Sequence, residues 1–292
     1  MNISILGSGF GIYGYLPAAC SLGWEVTTLT RYREKIFSRK ELSHYFHSVK
    51  FVNSEAELFD LEFPLVFART PELQYQFLAN NLIHKAKLSH LFLEKPLTNS
   101  ISNSEFVLDL LRNSRKSFSI GYLFQYTQWF MDLSNLVTKP GRELIFNWRI
   151  PITNSEWKNS QASGGGVSSF FLVHFVPLPT KLGFRISDLE TTSMNGKFTL
   201  KSVGHNYLEI NAEIVKRDFR FELLVDKMPK PLFQAQTPFG MKPLGGNPDP
   251  RIDSLKRYLK STLDGSLLMD SAVETELDVI EFLKLCYQAG VN

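Results

Sequence analysis

Near the start of the chain, five residues with a strand's character run straight into a cluster of glycines. Asn2-Ile3-Ser4-Ile5-Leu6 is short and rich in β-branched residues, as a buried parallel strand is, and it leads directly into Gly7-Ser8-Gly9-Phe10-Gly11. A strand that stops at glycines and restarts as a helix is suited to hold an anion. The glycines permit a tight turn, backbone N–H groups can approach a pyrophosphate, and the next helix, expected from about Ile12 through Leu22, aims its positive end at the same place. The dinucleotide spacing asks for a third glycine at position 12. Ile12 stands there, and Gly11 comes one residue early. Either Gly11 takes the special torsions of the turn or helix and strand sit further apart. An ordinary strand-turn-helix connection has much the same pattern, so the residues downstream must decide.

They continue the alternation. Trp24 to Thr30 reads as a second strand, followed by Arg31-Tyr32-Arg33-Glu34-Lys35. In a site that prefers NAD, an acidic residue at this strand end takes the ribose hydroxyls. Here the position is Thr30, and two arginines follow. A carboxylate would repel a 2′-phosphate whereas Arg31 and Arg33 can pair with one, so NADP is expected ahead of NAD. The alternative is that both arginines belong to a solvated helix start. Val49–Val52 is the next strand, Ser54 to Phe59 a short capped helix and Leu65 to Ala68 a strand that ends in Arg69-Thr70-Pro71. Helix Glu72 to Asn81, strand Leu88 to Leu93 with Glu94-Lys95-Pro96 after it, helix Ser104 to Leu111 and strand Ser117 to Gly121 complete the set. Strands separated by helices of this length imply an α/β fold with a doubly wound, parallel (Rossmann) sheet. Ligands of such sheets lie beyond the carboxyl ends of the strands, where Gly7 to Gly11, Thr30 to Arg33, Thr70-Pro71, Glu94-Lys95-Pro96 and Gly121-Tyr122 all fall.

Composition excludes several other classes. The net charge of +3 comes from lysines and arginines scattered among acids, with no basic stripe for nucleic acid or an anionic membrane. No apolar run reaches the roughly 18 to 20 residues that span a bilayer, and the first strand begins too early to leave room for a leader, so a cytoplasmic protein is expected. Cys20 and Cys286 fit no redox or zinc spacing, and the six histidines form no HExxH pair, so no metal is expected.

With Glu94-Lys95-Pro96 in place, the chain resembles the glucose-fructose oxidoreductase/inositol dehydrogenase (Gfo/Idh/MocA) family. The order of motifs is the family's: glycine fingerprint, Thr-Pro after a middle strand, a strand running into Glu-Lys-Pro, and a strand ending in Gly-Tyr. Further on, Gly141 opens a strand, Trp157-Lys158 stands where the family has Trp-Arg or similar, and Gly164-Gly165-Gly166-Val167 matches the triple glycine before its catalytic helix. The stretch from Asp249-Pro250-Arg251 to Cys286-Tyr287 keeps the family's cadence. The resemblance implies an NAD(P)-dependent oxidoreductase with a dinucleotide-binding domain over residues 1–122. A substrate-binding and oligomerisation domain, α+β with an open and mostly antiparallel sheet, is implied over 123–292. It implies a cofactor held by Gly7, Gly9, Phe10, Gly11, Ile12, Thr30, Arg31, Arg33, Thr70, Pro71, Glu94, Lys95, Trp157 and Lys158. It also implies Lys95 beside the substrate carbinol and nicotinamide, and a substrate pocket that includes Tyr122.

One departure bears on the chemistry. The family's pattern GGGxxxDxxxH keeps its histidine as His174, but its aspartate position holds Phe170. On a helix the two positions share a face, so a carboxylate at 170 would fix the tautomer of His174 and raise its basicity. Phe170 does neither and adds apolar surface to the pocket, which leaves Lys95 as the favoured proton donor over His174. The bland reading of His174 is a core histidine in the apolar helix expected over Val167 to Val176. Where the family often has a histidine after Thr-Pro, Gln74 stands nearby, removing one polar pocket group.

From Arg142 onward the pattern changes to long alternating strands, Tyr207 to Ile214 and Phe219 to Leu223 among them. Glu209, Asn211, Glu213, Arg220 and Glu222 fall on one face, which the resemblance offers to a homodimer or tetramer and which is otherwise a solvated face. Pro229 to Asp249 is expected as a long irregular loop, and Ile252 to Thr262 and Ser271 to Ala289 as helices, the second packed on the N-terminal domain. The substrate expected is a small molecule, a sugar, nucleotide-sugar or related polyol. A flat conjugated substrate, as in biliverdin reductases, is the second enzyme reading, suited by Phe170, Phe171 and Phe175. A cofactor-binding sensor or scaffold without turnover is the third.

Overall fold

The computed structural model describes residues 1–80, 87–114, 116–128, 130–131, 143–151, 158, 160–181, 189–194, 197–202, 207–215, 220–225, 228–229, 251–264 and 269–290. The chain divides into two compact units. One takes Met1–Leu123 and Lys242–Glu276, the other Phe124–Met241 and Leu277–Asn292.

The first unit is built on a six-stranded sheet of β1 (Asn2–Leu6), β2 (Glu25–Leu29), β3 (Val49–Val52), β4 (Leu65–Phe67), β5 (Leu91–Leu93) and β6 (Phe118–Ile120). Their order is β3-β2-β1-β4-β5-β6, and every pair is parallel. Helices cover both faces of such a sheet, which is why the buried stretches of its central strands are apolar apart from Ser4: Ile3, Ile5, Leu6, Leu65, Val66 and Leu93 are fully buried. The connecting helices are α1 (Leu16–Ser21), α2 (Arg33–Phe37), α3 (Lys40–Ser43), α4 (Glu55–Phe59), α5 (Pro71–Ala79) and α6 (Ile101–Asn113). Ser54 caps α4 by accepting the Glu57 N–H, and the Glu57 carboxylate accepts the Asn53 N–H in return. Ser100 caps α6 in the same way through Asn103, so that helix begins three residues before its expected start at Ser104.

The glycine turn departs from a regular helix start. Gly11–Tyr15 winds as a π-turn, closed by the Leu16 N–H on the Gly11 carbonyl, before α1 begins. Pro17 has no N–H to donate into this segment, so the tighter α ladder loses a bond here and the wider turn costs less. Neither accommodation expected for Ile12 is taken: Gly11 holds no positive φ, and helix and strand stay close. A Cβ on Gly11 would lie 3.1 Å from Ile5 Cγ2 and 3.3 Å from Ala68 Cβ, so Gly11 supplies the close helix–strand approach. The positive φ falls on Gly7, at +152°, where a Cβ would collide with the Ala68 carbonyl. Ile12 itself is fully buried.

After a long absence the chain returns to this unit as α8 (Ile252–Leu263), which packs on α1. Leu255, Tyr258 and Leu259 are fully buried, and the Tyr258 hydroxyl is 2.8 Å from Ser119 Oγ in β6. The following helix, α9 (Met269–Gln288), contributes Glu276 to the same unit.

The second unit carries a sheet of β7 (Glu143–Pro151), β8 (Leu189–Met194), β9 (Lys197–Ser202), β10 (Tyr207–Val215), β11 (Arg220–Val225) and β12 (Met228–Pro229), in the order β12-β11-β7-β10-β9-β8. Only β7 and β10 run parallel, from Tyr207 opposite Glu143 to Val215 opposite Pro151. The mostly antiparallel open sheet implied by the resemblance is present. Phe146, Trp148 and Ile210 are buried on it, and Phe175 places its ring edge-on to both Phe146 and Trp148. A polar row also crosses the strands, with Thr199 and Asn147 bonded to Asn211, which also donates to Glu209. The helix expected over Val167 to Val176 is instead a π-turn, Val167–Phe171, followed by a 3-10 turn, Leu172–His174, and the short α7 (Pro177–Lys181). Gly164 and Gly166 hold positive φ just before it, and Pro177 removes the N–H that would continue the ladder.

Gly141, Trp157 and residues 230–249 of the expected loop lie outside the described residues. Among the described residues no helix is long and apolar enough to cross a membrane, and no group of three or more metal-ligating side chains converges. Cys20 and Cys286 are free thiols pushed up to about 12 by burial, the condition of unreactive cysteines.

Candidate functional site

The six parallel strands deliver their following residues to one edge of the first unit. After β1, Ser8 and Gly9 are exposed, and a Cβ on Gly9 would meet nothing within 4 Å, so this backbone is open to a ligand. The ring of Phe10 turns away from that opening. It packs edge-on to Tyr15, beneath the Arg251 guanidinium 3.9 Å from its centroid, and against Gly14, where any Cβ would strike the ring. Phe10 is thereby a clamp that fixes the turn from behind. Lys35, from α2, donates from Nζ to the Ser8 carbonyl at 2.6 Å and lies over the Tyr13 ring. This cation beside the glycine turn was not singled out from the sequence. Its only signal was its place soon after β2, at the ligand edge.

At the ends of β2, β3 and β4 the side chains form a second cluster. Thr30 Oγ1 lies 3.0 Å from both the Val52 carbonyl and Asn53 Oδ1. Arg31 Nη2 donates to Glu55 Oε1 at 2.6 Å, and Arg69 Nη2 donates to the same oxygen. Burial raises the Glu55 pKa, but the hydrogen bonds and charges of Arg69 and Arg31 outweigh it and hold the carboxyl below its ordinary value. Arg33 is drawn elsewhere: its guanidinium lies over Phe46 and Phe51, 5.6 and 5.8 Å from their centroids. The arginine pair at this corner is therefore Arg31 with Arg69. Sequence reasoning placed Arg69 only as the residue before Thr-Pro and Glu55 only inside a capped helix.

A third cluster follows β5 and β6. Glu94 Oε1 accepts the Tyr15 hydroxyl at 2.5 Å, and Tyr15 is fully buried. Gly121 makes this bond possible, since a Cβ there would lie 3.0 Å from the Tyr15 hydroxyl and 3.1 Å from Glu94 Oε1. Burial of the carboxyl raises the Glu94 pKa to about 7 against the lowering pull of Tyr15, Lys95 and Arg251. Lys95 is 7% exposed and precedes Pro96 through a cis peptide. Gln74, expected as a lost pocket group, is turned wholly inward. Its Nε2 donates to the carbonyls of Glu94 (2.7 Å) and Leu97 (2.8 Å), while its Oε1 accepts the Glu94 N–H (3.0 Å). One buried amide thus brackets Lys95 on both sides. Thr70 precedes α5 in extended conformation and Pro71 is its first residue, which aims Gln74 at this turn. Tyr122 is 1% exposed, with its hydroxyl donated to Glu276 at 2.6 Å; burial lifts that carboxyl to about 8.

In the second unit, the His174 ring stacks on Phe124, with centroids 4.6 Å apart and planes 11° from parallel. Phe170 is half-buried, edge-on to Phe171, with Lys158 Nζ 5.2 Å from its centroid. Phe170 and His174 are held by different neighbours, so the phenyl ring is no substitute for a carboxylate as partner of the imidazole.

No family model and no curated protein matches the sequence. Solved structures match along nearly its whole length. A myo-inositol dehydrogenase from Corynebacterium glutamicum is 14% identical with a TM-score of 0.68, over 99% of this chain and 96% of that one. The WlbA (WbpB) dehydrogenase from Thermus thermophilus, solved with NAD and UDP-GlcNAcA, is 14% identical with a TM-score of 0.68, over 97% and 94%. A super-repressor mutant of Gal80p from Saccharomyces cerevisiae is 9% identical with a TM-score of 0.71, over 99% and 96%. The chain has the fold of these dehydrogenases. The architecture implied by the Gfo/Idh/MocA resemblance, a parallel doubly wound sheet and a second open sheet, is the architecture it adopts.

Proposed function

We propose that the protein is a cytoplasmic NAD(P)-dependent oxidoreductase acting on a sugar, nucleotide-sugar or related polyol or carbonyl compound, with NADP preferred to NAD. The observation that carries this reading is the open backbone at Ser8-Gly9 on the same sheet edge as Lys95. The residues present fit a dinucleotide: Gly7, Gly9, Gly11 and the Ser8 backbone for the pyrophosphate, with Lys35 adding positive charge beside them. Thr30, Arg31 and Arg69 stand at the adenosine end, where the guanidinium groups favour a 2′-phosphate. A bound nicotinamide cofactor supplies or accepts the hydride. The chain's share is orientation and the coupled proton. Lys95 Nζ holds or gives up that proton, and Gln74 keeps the backbone on either side of it in place. On the resemblance, His174 and Phe170 belong to the substrate side, with Lys158 beside them, and the outer face of the second sheet to a homodimer or tetramer.

Turnover of sugars, nucleotide-sugars and polyols with NADPH and NADH, followed at 340 nm, tests the reading. Lys95→Ala should lower kcat by about 10²- to 10⁴-fold while NADPH still raises the melting temperature. Unchanged kcat in that variant would remove Lys95 from the mechanism. A second reading, a cofactor-binding protein without turnover, is favoured by the fold shared with Gal80p and by Phe170 in place of a carboxylate. It predicts stabilisation by NADPH with no turnover of any substrate class, linear tetrapyrroles included.

A further inference from the structure

The Arg31–Glu55–Arg69 cluster has a feature that ordinary recognition of a 2′-phosphate does not require. Both guanidinium groups converge on one oxygen, Glu55 Oε1, and among the described residues nothing donates to Oε2. The cluster is graded from surface to interior, the side chains of Arg31, Glu55 and Arg69 being 55%, 34% and 19% exposed. The residue at the end of β2 is Thr30, which brings no carboxylate to read ribose hydroxyls and whose hydroxyl is tied back to Val52 and Asn53. The carboxylate bonded to both arginines at this corner is Glu55, which follows β3, one strand further out.

We infer that Glu55 is the residue that sets cofactor choice, its free oxygen accepting a hydroxyl of an unphosphorylated ribose while its charge opposes a 2′-phosphate on Arg31 and Arg69. The inference rests on the dinucleotide reading above. Two arginines and one carboxylate leave the cluster with a net charge of about +1, so an incoming phosphate monoester must share the guanidinium groups with an anion already bonded to them. A ribose hydroxyl brings no charge and finds an acceptor waiting. The unaltered chain therefore takes both cofactors, with NADP favoured only modestly. Removing the charge of Glu55 while keeping its shape frees both guanidinium groups for the phosphate and weakens the ribose acceptor.

Isothermal titration of the full chain with NADPH and NADH, and with 2′,5′-ADP and 5′-AMP as probes of the adenosine end alone, tests this at one fixed ionic strength. Glu55→Gln should widen the NADPH-to-NADH affinity ratio by at least about tenfold, and the 2′,5′-ADP-to-AMP ratio in parallel. Arg69→Met should narrow both ratios. A ratio unchanged or narrowed in Glu55→Gln, or one not lowered by Arg69→Met, while both dinucleotides still bind, overturns the role of Glu55 and leaves the dinucleotide reading standing. Failure of the unaltered protein to bind any of the four ligands overturns both.

Discussion

Glu276 lies 1% exposed, with the Tyr122 hydroxyl 2.6 Å away. Its pKa rises from an ordinary 4.5 to about 8, chiefly because burial disfavours the charged form, with the Tyr122 hydrogen bond pulling the other way. In the folded protein at neutral pH the carboxyl keeps its proton, whereas in the unfolded chain it loses it. A group whose folded pKa is raised contributes stability that is fully present below its unfolded pKa and is lost as pH rises through the folded value. For Glu276 that window runs from about 4.5 to about 8. Each pKa unit corresponds to about 1.4 kcal/mol, so between about pH 5 and pH 7.5 the loss amounts to about 3 kcal/mol.

Glu276→Gln removes the titration while keeping an acceptor for Tyr122. The amide's extra N–H brings a constant offset, so the informative quantity is the change with pH rather than the stability at any one pH. Urea unfolding of both proteins across that range should give curves that diverge by about 3 kcal/mol, the variant gaining on the parent as pH rises. Glu94 titrates in both and cancels in the difference. Parallel curves would refute the reasoning, because they would mean that Glu276 ionises in the fold as it does in water.

Two further substitutions bear on the corner around Lys95. Gln74→Leu deletes three hydrogen bonds and strands the Glu94 N–H and two carbonyls, which should cost about 2 to 4 kcal/mol in urea unfolding, and should lower kcat with little change in NADPH affinity. Gly121→Ala forces a Cβ to 3.0 Å from the Tyr15 hydroxyl and 3.1 Å from Glu94 Oε1 with Tyr15 fully buried, a crowding that should cost about 1 to 3 kcal/mol in thermal unfolding.

How much of this was written in the sequence depends on distance along the chain. The strands of the first sheet and the cap at Ser54 depend on neighbours a few residues away, and residue pattern and capping chemistry are enough to place most of them, whereas the cap at Ser100 was missed and its helix expected only from Ser104. The edge carrying Gly7 to Gly11, Thr30 and Lys95 was likewise legible, because a doubly wound sheet delivers every strand end to the same side. Side-chain partnerships across that edge were not. Arg33 prefers the rings of Phe46 and Phe51, while Arg69, 38 residues after Arg31, takes the place beside Glu55. Gln74 looked like a missing pocket group because sequence spacing says nothing about three hydrogen bonds that reach 20 to 23 residues along the chain. The two π-turns were also hidden: prolines and glycines announce a disturbed helix without saying which wider or narrower turn it adopts.

The return of α8 to the first unit has a consequence for biosynthesis. The glycine turn leaves the ribosome before the stretch Phe124–Met241, yet Phe10 gains its Arg251 cover and Ser119 its Tyr258 partner only after that stretch has been made. Until then α1 lacks the helix that buries its outer side, and an apolar surface that Leu255 and Leu259 will later cover stays open to solvent. The half of the molecule that begins first is thus completed late, and through that interval the nascent chain presents the kind of surface that chaperones recognise.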